Sequence, residues 1–83
     1  MDIKIVKNIC SRIARQQQLN IPLEIVQFNH NESENYLEVF FTENDGQFAP
    51  NPFGKNLFVS TDDFGRIIFV KIENVSIYIP NED

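Results

Sequence analysis

The sequence predicts an α+β fold: an N-terminal helix packed on one face of a four- to five-stranded antiparallel sheet, laid out as a meander of successive hairpins. Two periodicities and one pattern of punctuation lead there. Before Pro22 the apolar residues recur every three or four positions, as on one side of a helix, and after it every second position, as on one face of a strand. Gly, Asn, Asp and Pro stand between the alternating runs. The 83 residues, 42% hydrophobic and 23% charged, suit a single domain over 1–83 of ordinary globular composition.

The helix is expected over 2–18. Ile3, Val6, Ile9, Cys10 and Ile13 form its apolar stripe, while Lys4, Lys7, Ser11 and Arg15 fall on the other side. Asp2 is placed to cap its start, and Asn20 with Pro22 ends it. Five strands follow at LEIVQF (23–28), YLEVFFT (36–42), NLFVS (56–60), RIIFVKI (66–72) and VSIYI (75–79). NHNESEN, the long stretch ENDGQFAPNPFGKN (43–56), TDDFG and the tight pair Glu73-Asn74 connect them.

Alternation sorts these strands into two faces. One face takes Leu37, Val39, Phe41, Leu57, Val59 and Ile68, with Val70, Ile72, Val75, Ile77 and Ile79 continuing it, an aliphatic set suited to the helix stripe. The other takes Tyr36, Glu38, Phe40, Phe58, Ile67, Phe69, Lys71 and Tyr78, which is too aromatic for an ordinary solvent face. A single helix cannot cover both. Burying one such ring is worth about 1.5–3 kcal/mol, so something must cover Phe40, Phe58, Phe69 and Tyr78. Three coverings are open: the 43–56 stretch folding back with Phe48 and Phe53 as lids, closure of the sheet into a barrel, or another chain, a second copy included.

Charge is unevenly distributed. The net charge is −5, yet residues 1–19 carry Lys4, Lys7, Arg12 and Arg15 against Asp2 alone. Residues 20–54 carry Glu24, Glu32, Glu34, Glu38, Glu43 and Asp45 with no Lys or Arg. Such a block repels phosphate backbones and attracts basic proteins, which argues against nucleic acid as a partner even though aromatic sheet faces can stack bases.

No constellation points to catalysis, a metal or a cofactor. His30 stands beside Glu32 and Glu34 in NHNESEN, but zinc sites favour Cys and His ligands at other spacings, and a loop histidine is the simpler reading. A serine or cysteine nucleophile would need that same histidine as its base. Cys10 lies on the apolar stripe, where a thiol is inert core, and as the only cysteine it forms no disulfide within the chain. Asp62, Asp63 and Asp45 read as turn residues, and DFG at 63–65 lacks every other protein-kinase signature. The start is too polar for a signal segment, and no apolar run is long enough to span a bilayer, so a cytoplasmic protein is expected. Ten asparagines and eleven isoleucines suggest an AT-rich coding sequence of bacterial or phage origin.

The functional expectation is a non-enzymatic binding protein that inhibits or neutralises a basic protein target. Phe48 and Phe53 would be its buried anchors, and Glu32, Glu34, Glu43 and Asp45 would steer the encounter. In size, charge and architecture it resembles toxin-immunity proteins and phage-encoded inhibitors, without any family motif. The alternative is a homodimeric architectural or regulatory subunit that associates through Phe40, Phe58 and Phe69.

Overall fold

Asp2 opens helix α1 (Ile3–Gln17) by accepting a hydrogen bond from the Ile5 N–H at 3.0 Å, which satisfies one of the free donors of the first turn. The computed structural model describes residues 1–43 and 49–79. Val6, Ile9, Cys10 and Ile13 are buried as the spacing requires, and Ile3 at the start of the stripe is exposed. The helix stops at Gln18, which takes a left-handed conformation (φ 55°), two residues before the Asn20 that the sequence offered for that role.

Five strands form one antiparallel sheet: β1 (Gln27–Asn31), β2 (Tyr36–Phe40), β3 (Asn51–Pro52), β4 (Leu57–Thr61) and β5 (Ile67–Glu73). The α+β class with the helix against the sheet is therefore as expected, but the strand order is β1-β2-β5-β4-β3 and not a plain meander. β5, the last strand, inserts between the β1–β2 hairpin and the β3–β4 hairpin. The 43–56 stretch consequently joins β2 to the far edge of the sheet. Its own Asn51 and Pro52 form the edge strand, where a proline costs no ladder bond.

Three local expectations fail for reasons this topology supplies. VSIYI is no strand: Val75–Tyr78 is a 3-10 helix, with Ile77 N–H donating to the Asn74 carbonyl and Ile79 N–H to that of Ser76. Both edges of β5 are already occupied, so a strand following it at a tight turn has nothing to pair with. Ile77 is accordingly 67% exposed, whereas Tyr78 packs against the core. The first strand begins at Gln27, not at Leu23, and takes in Asn29, His30 and Asn31 from the expected loop; Ile21 and Ile25 pack against the core from outside the sheet. Finally, a bulge sits between β4 and β5, where Ser60 faces Phe69 but Thr61 faces Ile67. The extra residue switches the alternation, so Ile67 is in the core and Ile68 only half-buried, the reverse of the simple period-two reading.

The core lies between α1 and one face of the sheet. Leu37 and Val39 on β2, Val70 and Ile72 on β5, and Leu57 and Val59 on β4 line up in cross-strand rows beneath Val6, Ile9 and Ile13. Val75 plugs the end of this layer. Leu37 is wholly buried in its centre. Leu37→Ala is expected to cost about 2–5 kcal/mol, a large share of the stability of so small a domain, and chemical denaturation followed by circular dichroism measures it.

Candidate protein interface

The register brings three turns to one end of the sheet. Tyr36 faces Glu73 across β2 and β5, and Leu57 faces Ile72 across β4 and β5. The β1–β2 turn (32–35), the β3–β4 turn (53–56) and the exit from β5 (73–74) therefore lie together. Each contains an asparagine in the left-handed region: Asn35 (φ 58°), Asn56 (φ 64°) and Asn74 (φ 55°). Asparagine tolerates this backbone better than other residues with a Cβ, and here the side chains also bind the turns to one another. The Asn35 amide donates to Ser76 Oγ at 3.0 Å and accepts from the Ser76 N–H at 3.0 Å, tying the first hairpin to the 3-10 helix. Asn74 Nδ2 donates to Asn56 Oδ1 at 3.1 Å, tying β5 to the β3–β4 turn. The Glu73 N–H donates to the Asn56 carbonyl at 2.8 Å and adds a backbone link.

This bound end displays both charge and apolar surface. Glu32, Glu34 and Glu73 are exposed there and make no salt bridge among the described residues; Lys55 is the one base in the same turns. Phe53, 41% exposed, and Ile77, next to the Ser76 that Asn35 binds, are exposed at the same end. Of the residues expected to meet a partner, Glu32, Glu34 and Phe53 thus share one end. Glu43 does not: it follows Phe41, whose N–H donates to the Ile68 carbonyl, at the opposite end. Phe48 and Asp45 lie outside the described residues.

The sheet face turned away from α1 is less aromatic and less open than expected. Phe69 is 3% exposed within the chain itself, with the Phe40 ring 4.9 Å away at an interplanar angle of 51°, a favourable tilted pair. It supports Phe40 and offers no ring to solvent. Phe40 and Phe58 are half-buried. A polar row, Asn29, Glu38 and Lys71, crosses the strands before Phe58 and Pro52. Asn29 Nδ2 donates to Glu38 Oε1 at 3.2 Å, and Lys71 Nζ lies 4.7 Å from the centroid of the Tyr36 ring. This row separates the Phe40–Phe69 pair from Tyr36, so no continuous ring surface forms.

One displayed aromatic escaped the sequence reading. Phe64, 82% exposed, caps the β4–β5 turn, which Asp62 holds rigid. Asp62 Oδ1 accepts from the N–H groups of Phe64 and Arg66, both at 2.9 Å, and Oδ2 meets Arg66 Nε at 2.8 Å, the only ion pair among the described residues. Gly65 supplies the left-handed backbone (φ 79°) and the Arg66 guanidinium stacks 5.2 Å from the Phe64 ring. TDDFG announces such a turn, but nothing in the string tells whether its phenylalanine turns inward.

Burial pushes the Cys10 thiol up to about 11, so it stays protonated and unreactive. His30 sits half-buried on β1 opposite Leu37, not in a loop. No group of three His, Cys, Asp or Glu side chains is placed to hold a metal ion among the described residues. No helix among them is long and apolar enough to cross a membrane.

Asn35→Gly keeps the left-handed backbone and loses only the side-chain bonds to Ser76, whereas Asn35→Ala loses both; the alanine variant is expected to be less stable than the glycine variant by about 1 kcal/mol in denaturant titration. The Asp62 carboxyl is held below its ordinary value of 3.8, first by the Arg66 N–H, opposed by some desolvation, and further by the Phe64 N–H and the Arg66 side chain. A depressed folded-state pKa stabilises fully above the unfolded value and loses that contribution as pH falls through the folded one. The thermal midpoint of the native chain should therefore fall faster than that of Asp62→Asn between about pH 5 and pH 2.

No family model, curated protein or solved structure matches the chain.

Proposed function

We propose that the chain is a small, acidic, non-enzymatic binding protein of the cytoplasm that neutralises a basic protein target through the asparagine-bound end of its sheet. The observation that carries this reading is that Glu32, Glu34 and Glu73, all without ion-pair partners among the described residues, lie at the same end of the sheet as the exposed side chains of Phe53 and Ile77. Exposed acids without counter-ions raise encounter rates with a positively charged surface, and an apolar residue at the same end supplies the slow dissociation. The turns are already tied together by Asn35, Asn56 and Asn74, so little ordering entropy is lost on binding. Lys55 disfavours docking with its own side close to the target's bases and orients the approach toward Glu32 and Glu34.

Capture from an extract of the source organism with the intact chain as bait, followed by identification of what is retained, tests the reading. A specific protein of basic isoelectric point is expected, lost when Glu32→Lys and Glu34→Lys are combined and weakened by roughly tenfold or more in Phe53→Ala. The activity of that protein should fall when the purified chain is added. Retention of the same protein by the charge-reversed chain would overturn the proposal.

A further inference from the structure

A second surface has the opposite electrostatic character. Between α1 and the irregular segment 21–25 runs an open groove of about 700 Å³, within the size range of ligand sites. Cys10 and Ala14 from the helix, with Ile21, Pro22 and Ile25 from the segment, make an apolar floor. Leu23, 85% exposed, forms the lip. The charged lining consists of Lys7 and Arg15; among the described residues no acid lines the groove, although the chain as a whole carries −5.

The helix fixes how these cations are arranged. Lys7, Ser11 and Arg15 follow one another at intervals of four along the flank that faces the groove. Eight residues separate Lys7 from Arg15, which is about 12 Å of helix rise. One cation therefore stands toward each end of the apolar floor. An amphiphile with a single anionic head would satisfy one of them and lay its tail beneath the other. A ligand with a carboxylate at each end and apolar groups between satisfies both.

The opposite wall adds a second requirement. Among the described residues, the N–H groups of Ile21, Leu23 and Ile25, which line that wall, donate to no acceptor and their carbonyls accept from no donor. Leu23 is exposed and Ile21 and Ile25 are half-buried, and a backbone with open donors and acceptors is what an added extended segment pairs with. At about 3.3 Å per residue, carboxylates four positions apart in an extended peptide span close to the same 12 Å. We propose that this groove docks an extended segment of a partner protein, apolar at its centre and acidic at both ends, that lies along the backbone of 21–25 with its carboxylates on Lys7 and Arg15. The chain then has two independent contact surfaces of opposite charge, one for a basic surface and one for an acidic, apolar strand.

Fluorescence anisotropy of a labelled, end-capped pentapeptide with glutamate at both ends and three aliphatic residues between them, titrated with the intact chain, tests this directly. Saturable binding is expected. Lys7→Glu combined with Arg15→Glu should weaken it by roughly tenfold or more, as should N-methylation of the peptide's central amides, whereas Glu32→Gln with Glu34→Gln should leave it unchanged. The same peptide with glutamine in place of both glutamates should bind correspondingly less well, a comparison that needs no variant of the protein. Absence of saturation, equal affinity for the glutamine peptide, or binding of dodecanoate in the groove in preference to the peptide would each overturn the proposal.

Discussion

The structure depends on the place of β5. Val70 at its centre is fully buried, faced by Val39 of β2 on one side and Val59 of β4 on the other, and both rows lie under α1. Neither hairpin is a stable unit alone, since two strands bury too little apolar surface in water. β5 is what joins them into one sheet with a face wide enough for the helix. Because it is also the last strand in the chain, the core cannot close until residues from both hairpins and the final third of the sequence meet, a non-local requirement that favours slow, cooperative folding.

The position of β5 also decides what happens at the sheet's edges and ends. With β5 in the middle, the segment after it has no strand to join and folds instead into a short 3-10 helix, which closes the core with Val75 and leaves Ile77 outside. The chain between β2 and β3 must reach the far edge, which accounts for its length. Three turns from distant parts of the sequence fall side by side as a result. Left-handed asparagines knit them, and the acids carried by those turns gather at one end.

Charge is divided in space as well as in sequence. The basic residues of the first segment lie on α1, where Arg12 is drawn toward the Tyr78 carbonyl and ring while Lys7 and Arg15 border the groove. Of the acids of the middle segment, Glu32 and Glu34 stand at one end of the sheet, Glu43 beyond its other end and Glu38 in the polar row across it. Their separation keeps Glu32 and Glu34 free of neutralising partners among the described residues, so their negative charge stands unscreened by neighbouring bases at that end of the sheet.

Periodicity determined the helix, its apolar stripe and, Ile68 apart, the inner residues of β2, β4 and β5, and the residue type of Asp2 marked the cap, because spacings of 3.6 and 2 are local geometric facts that leave their mark on adjacent residues. What it could not carry was partnership. Whether VSIYI is a strand depends on a free edge that only the assembled sheet can deny it, and whether Ile67 or Ile68 faces inward depends on a bulge set by the residue opposite. Phe69 reads as a ring on the wrong side of the sheet until its neighbours bury it, and Phe53, Glu32 and Glu34 come to one end of the sheet only because strands far apart in sequence share a register. Local preference selects the elements; the competition of those elements for a limited set of edges and one core decides where each side chain ends.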